Sequence, residues 1–130
     1  MERIINAISQ ERCAVAKIFG IDAVSFLEYE QQTYGYPGDS ITENRRLNPQ
    51  LNRVPAPTSL YSCKGIEDVV CALVPLSELA QLVNVRTPVI NAVIDLWSCY
   101  LNEDLRSVGR SLASLGLADK SPEEICHVVS

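Results

Sequence analysis

Two adjacent carboxylates, Glu67 and Asp68, stand directly before an unbroken apolar run from Val69 to Leu76. A run of this length is predicted to be buried, so we expect its acidic leader at the edge of a hydrophobic core. A carboxylate at such an edge takes a fixed orientation, as an active site requires. The alternative is structural, since carboxylates near a helix N-terminus are favoured by the helix dipole. Both interpretations stay open.

Two more charged positions are candidates. Glu11 falls on the apolar stripe of the first predicted helix, at about 100° per residue. A charge on a core-facing stripe should be paired or face a cavity, so Glu11 makes either a functional contact in a cleft or a structural salt bridge. Arg110, within Gly109-Arg110-Ser111, is a candidate for binding a carboxylate or phosphate; the alternative is capping of nearby backbone carbonyls.

The remaining polar patterns favour ordinary structural roles. Asn91, Asp95 and Ser98 share one face of a predicted helix, and a solvated face is the default interpretation of such a pattern. The one histidine, His127, has only its neighbour Cys126 as a possible co-ligand, so no metal site is predicted.

Composition restricts the class of protein. At 130 residues, 47% hydrophobic and 21% charged, the chain is expected to form one domain over 1–130. The net charge is −5, and no basic cluster exceeds the pair Arg45-Arg46, which argues against nucleic acid as a partner. No segment approaches the ~20 apolar residues that span a bilayer, so no membrane partner is expected. Five scattered cysteines without a CxxC pattern are typical of a reduced, cytoplasmic protein.

Helix punctuation is dense, and only the Val69–Leu76 run could alternatively be a strand, which would lack a partner strand. The sequence therefore predicts an all-α fold, a compact bundle of about six to eight helices. Proline and a lack of periodicity predict a long irregular loop over 48–65. The predicted helices span 3–19, 23–33, a short stretch opened by Ser40, 67–74, 76–83, 87–101, 109–115 and a final stretch opened by Ser121.

Several short motifs follow one another along the chain. They are Glu11-Arg12-x-Ala14-x-Ala16-Lys17-x-x-Gly20, Ala56-Pro57-Thr58, Glu67-Asp68-Val69, Leu73-Val74-Pro75-Leu76, Leu79-Ala80, Thr87-Pro88 and Gly109-Arg110-Ser111-Leu112-x-x-Leu115-Gly116. Their order resembles that in the α-helical C-terminal domain of opine dehydrogenases of the octopine and nopaline type. The resemblance extends over 11–117 and implies an architecture like the C-terminal domain of 6-phosphogluconate dehydrogenase.

The resemblance implies an enzyme of two domains. A Rossmann domain binds NAD or NADP, and the helical domain recognises substrates and often mediates dimerisation. The reaction condenses an amino acid with an α-keto acid by hydride transfer to an imine. Asp68 matches the acid of the family's His–Asp pair, which implies a catalytic role in orienting an imidazole. Glu11, Lys64 and Arg110 are the candidate substrate-binding residues.

The sequence also departs from the family. Asn48-Pro49 is not followed by the histidine of the family's Asn-Pro-x-x-His pattern, and Cys63 stands where an arginine precedes the acid, with Lys64 beside it. No GxGxxG follows a strand signal, so no cofactor is expected to bind this chain alone.

These departures lead to two hypotheses. The first is that the chain is a fragment, split subunit or remnant of such an oxidoreductase, inactive by itself, homodimeric, and able to pair with a separate Rossmann polypeptide. The alternative is a noncatalytic α-helical module that associates with itself.

Overall fold

The computed structural model describes residues 1–53, 55, 57–59 and 64–129. Within these ranges all regular secondary structure is helical, which confirms the all-α class. The elements are α1 (Glu2–Ile18), α2 (Phe26–Tyr34), α3 (Ile41–Leu47), a 3₁₀ turn (Leu51–Arg53), α4 (Gly65–Asp68), a π-helical turn (Val69–Leu73), α5 (Val74–Leu82), α6 (Pro88–Leu101), α7 (Leu105–Val108) and α8 (Pro122–Val129). Six residues of the loop predicted over 48–65, Cys63 among them, lie outside the described residues.

Capping side chains decide where two helices begin. The helix predicted to be opened by Ser121 begins with a capping box, because Glu124 Oε2 accepts from the Ser121 amide at 2.7 Å and Ser121 Oγ accepts from the Glu124 amide at 3.3 Å. The second helix was predicted to follow Asp22, and that start is wrong. The helix begins at Phe26, because Ser25 and Glu28 form a capping box of the same kind.

The prediction of a helix over 109–115 is also wrong. Asp104 accepts a hydrogen bond from the Arg106 amide at 3.0 Å, so a short helix starts one turn earlier and ends at Val108. After it, Gly109 passes close to α5: a Cβ built there would lie 2.8 Å from Leu105 O and 3.0 Å from Val74 Cγ1. Beyond Gly109 no helix forms before α8, but the Leu115 amide donates to Ser111 O at 3.1 Å, which makes a single turn that ends at Gly116, where φ is +69°.

Two hydrophobic clusters hold the helices together. The larger consists of the buried residues Val69, Val74, Ile90, Ile94 and Leu105, so it joins the π-helical turn to α5, α6 and α7. The second consists of Leu112, Leu117 and Ile125, packed against Phe19, Leu79 and Leu82. Within the described part of the chain, no helix has the length and apolarity needed to traverse a lipid bilayer.

Candidate functional site

Asp68 is the last residue of α4, and its surroundings differ from those of the next residue. Val69 is 2% exposed within the larger cluster, whereas Asp68 and Glu67 are exposed. The acid therefore lies at the edge of a core, as predicted, but its side chain is exposed, so burial does not supply the fixed orientation that was expected of it. Among the described residues, no hydrogen bond or ion pair to the Asp68 carboxylate is found.

A continuous helix supports Asp68. The sequence suggested two helices separated at Pro75, but α4, the π-helical turn and α5 run without interruption from 65 to 82. In the turn the Val74 amide donates to Val69 O, five residues back. Proline has no amide proton and cannot continue this pattern, so Val70 O is left without a donor from Pro75. The Arg110 amide donates to Val70 O instead, at 2.8 Å.

Three of the four predicted site residues belong to this region. The Asp68 amide donates to Lys64 O at 3.1 Å, and the Arg110 main chain is bound to Val70. All three side chains are exposed. These three predicted residues therefore place one carboxylate and two cationic groups at the surface, next to the exposed Glu67, on main chain that internal hydrogen bonds hold in place.

Glu11 has a different position. Its carboxylate accepts hydrogen bonds from the Val89 amide at 2.8 Å and the Ile90 amide at 2.9 Å. These amides belong to the first turn of α6, where no intrahelical acceptor exists. Glu11 thus caps α6 from another helix, so the salt bridge that the sequence offered as a structural alternative is replaced by bonds to backbone amides.

Arg106 also belongs to this region, although it was not among the predicted site residues. Its guanidinium donates to Ser77 Oγ at 3.2 Å, Asn91 Oδ1 at 2.9 Å and Asp95 Oδ1 at 3.0 Å. Ser77 is fully buried, and Asn91 is half-buried. The polar face predicted to be solvated on α6 is therefore, in part, the surface that receives α7. The signal in the sequence was the spacing of Asn91 and Asp95, because two oxygen acceptors four residues apart on one helix face can bind a cationic side chain.

The described residues do not fit a metal or a dinucleotide. No group of three His, Cys, Asp or Glu side chains suited to a metal is found among them, and His127 is exposed in the last turn of α8. A dinucleotide site needs a glycine-rich turn between a strand and a helix, and these ranges contain no strand.

The fold and the surface around Asp68 define an all-α domain that carries an accessible acid. The sequence profile of the NAD/NADP octopine/nopaline dehydrogenase α-helical domain matches residues 1–115. The chain belongs to this family, and the resemblance stated from its motifs is confirmed.

Individual relatives agree with this assignment. The chain is 40% identical over 115 residues to an opine dehydrogenase of Arthrobacter sp. (strain 1C), an alignment that covers 88% of this chain and 32% of the relative. It is 26% identical over 126 residues to the Protein ocs of Agrobacterium tumefaciens (strain Ach5), covering 97% and 35%. It is also 26% identical over 126 residues to the vitopine synthase of Allorhizobium ampelinum, again covering 97% of this chain and 35% of the relative. The chain thus spans about a third of the length of these relatives.

Proposed function

We propose that these residues form the substrate-facing helical wall of an NAD- or NADP-dependent oxidoreductase that condenses an amino acid with an α-keto acid. Asp68 carries this proposal. Its carboxylate is exposed and has no partner among the described residues, while the buried Val69 fixes its main chain. An anion in this situation is available to a group from another part of the enzyme.

The role proposed for Asp68 is to orient an imidazole and to stabilise the imidazolium that forms when the ring takes up a proton. A fixed carboxylate does this by accepting a hydrogen bond from the ring nitrogen that does not react. Both substrate classes carry carboxylates, so the exposed cations Lys64 and Arg110 are suited to bind them. When bound elsewhere in the enzyme, the cofactor supplies the hydride.

These residues alone are expected to be inactive, because the sequence has no GxGxxG motif and the described residues include no strand that could precede one. Calorimetric titration of the isolated chain with NADH and NADPH should give no heat of binding. Dissociation constants in the micromolar range would contradict this statement.

Reconstitution tests the proposal as a whole. A nucleotide-binding polypeptide of the same family is added to the chain, and NADH- or NADPH-dependent condensation is measured with amino acid and keto acid panels. Asp68→Asn should reduce kcat by about 10²- to 10⁴-fold. Asp119→Asn, which neutralises another exposed carboxylate, is the matched control and should leave kcat unchanged. Equal rates for the two variants would reject the role of Asp68.

A second candidate, self-association, is favoured by an apolar cavity of about 280 Å³. Val15, Leu79 and Leu112 contribute to its wall, and the apolar side chains of Ile21 and Val129 at its border are 58% and 70% exposed. A second copy that covers this border would remove apolar surface from water. In sedimentation equilibrium the chain should be a homodimer, and Val129→Lys should shift it to monomer. A wild-type chain that stays monomeric would argue against self-association.

We also propose a reducing, cytoplasmic location. No disulfide links the four cysteines that the structure describes, as expected where thiols remain reduced. Fractionation of producing cells, followed by thiol labelling of the denatured chain, tests this location. Recovery from an oxidising compartment with blocked thiols would contradict it.

A further inference from the structure

The π-helical turn determines the direction in which Asp68 points. Such a turn contains one residue more than the α-helical turn it replaces. One residue corresponds to about 100° around the helix axis. The α4 side chains are therefore rotated by about this angle relative to the positions they would take if α5 continued upstream as a regular α-helix.

The segment from α7 to Arg110 binds both the π-helical turn and the helix that follows it. Upstream of Pro75, the Arg110 amide satisfies Val70 O at 2.8 Å. Downstream, the Arg106 guanidinium donates to Ser77 Oγ at 3.2 Å. Between the two, Gly109 lies so close to Val74 that a Cβ would be 3.0 Å from both Val74 methyl groups. Contacts at Val70, Val74 and Ser77 thus cover the part of the helix in which the π-helical register must be kept.

Arg106 is held firmly enough to anchor this segment. Besides Ser77, it donates to Asn91 and Asp95 of α6 at 2.9 and 3.0 Å. Its neighbour Leu105 is 1% exposed in the larger cluster. A planar guanidinium can reach acceptors on two helices at once, whereas the ammonium of lysine has a compact charge and no such fork.

We infer that Arg106 and the Gly109–Arg110 turn act as positioning residues for Asp68. They keep the π-helical register and so keep the carboxylate directed toward the group it serves. The inference rests on the proposed function for its catalytic meaning. Its structural part, that this segment sets the rotation of α4 against α5, can be measured on the chain alone.

The first measurement is NMR spectroscopy of the isolated chain. The wild type should show a scalar coupling through the hydrogen bond between the Arg110 nitrogen and the Val70 carbonyl carbon. Residual dipolar couplings of the Asp68 Cα–Hα bond, referred to those of α5, report the rotation of α4. In Arg106→Leu and Gly109→Ala the scalar coupling should disappear and the dipolar couplings should change.

Two further variants separate a change of helix register from a general loss of stability. Gly116→Ala introduces a side chain at a φ of +69° where nothing lies within 4 Å of the added Cβ, so it should lower stability while preserving both couplings. Pro75→Ala favours helix formation and restores an amide that competes for Val70 O. It should remove the Arg110–Val70 coupling even if the other variants fail to fold. Unchanged couplings in Pro75→Ala and in every variant that folds would overturn the inference.

The second measurement is kinetic, on the reconstituted enzyme. Arg106→Leu should lower kcat by about tenfold or more while KM stays within about twofold, and Arg106→Lys should restore little of the loss. In an Asp68→Asn background the same substitution should have no further effect on kcat. An equal loss in both backgrounds would show that Arg106 is merely structural. If reconstitution gives no activity, the proposed function fails, and the NMR result still decides whether the segment positions Asp68.

Discussion

Glu11 and Asp68 are both acids beside the hydrophobic core, but only the Glu11 carboxylate has hydrogen-bond partners among the described residues. Glu11 lies against the start of α6, where two backbone amides occupy its oxygens. Asp68 lies at the end of α4, exposed and without a partner among the described residues. A carboxylate that accepts hydrogen bonds from the chain itself contributes to the stability of the fold. A carboxylate that is held in position but accepts no such hydrogen bond remains free to bind a group from elsewhere in the enzyme.

The largest effect is expected for Glu11→Ala. The substitution leaves two amides at the start of α6 without their charged acceptor, so the free energy of unfolding should fall by about 3 kcal/mol. Urea denaturation followed by circular dichroism measures the change. Glu11→Gln keeps one acceptor oxygen and should lose less. A loss below about 0.5 kcal/mol for Glu11→Ala would mean that the cap does not stabilise the fold.

A smaller loss of stability is expected for Val69→Ala, a substitution next to Asp68. Val69 is 2% exposed, and removing two buried methyl groups should cost about 2 kcal/mol in the free energy of unfolding. Val128→Ala, at an exposed position of α8, is the matched control and should change the same quantity little. Similar losses for the two valines would contradict the placement of Val69 in the core.

Asp68→Asn should change the free energy of unfolding by no more than about 0.5 kcal/mol, as for other exposed positions. Its effect should fall on kcat of the reconstituted enzyme instead. The same denaturation experiment is sufficient, with Glu11→Gln as the acid-to-amide comparison. A loss above about 2 kcal/mol for Asp68→Asn would place Asp68 in the same structural class as Glu11.

The smallest effect concerns Glu2, which like Glu11 accepts a hydrogen bond from an amide in the first turn of another helix. Its carboxylate accepts from the Thr42 hydroxyl and from the Ile41 amide at the start of α3. The Thr42 hydroxyl, helped by backbone amides, lowers the pKa of Glu2 from its ordinary value of 4.5. Because the pKa is lower in the folded state, the stabilisation is complete above the unfolded pKa and is lost as pH falls through the folded one.

Urea denaturation of the wild type and of Glu2→Gln between pH 7 and about pH 2 measures this contribution. The difference between the two proteins should shrink as the pH falls below 4.5. A difference that stays constant over the range would show that Glu2 is not linked to folding by its charge.

The parts of the fold that could be predicted depend on local patterns. Apolar periodicity gave the first helix, predicted over 3–19 and observed as Glu2–Ile18. Proline at a helix start gave α6, and Ser121 with Glu124 gave α8. The start of the second helix was equally local, since Ser25 and Glu28 stand three residues apart as a capping box does.

The site was harder to predict because its determinants lie far apart in the chain. The exposure of Asp68 depends on the side of the helix that packs against the core, which Val69 and Val74 define. The length of an apolar run does not reveal which side that is. The donors to Glu11 are the amides of Val89 and Ile90, which lie 78 and 79 residues later in the chain. The π-helical turn depends on a donor supplied by Arg110. Composition and periodicity describe one segment at a time and do not identify such partners.

The cap on α6 also has a consequence for the order of folding. The hydrogen bond from Val89 to Glu11 closes a loop across 78 positions of the chain, and closing a long loop costs entropy before the contact forms. We therefore expect this contact to form late, after the individual helices have begun to pack. Substitutions at Glu11 should then accelerate unfolding more than they slow refolding, and the first helix should be among the last to dock.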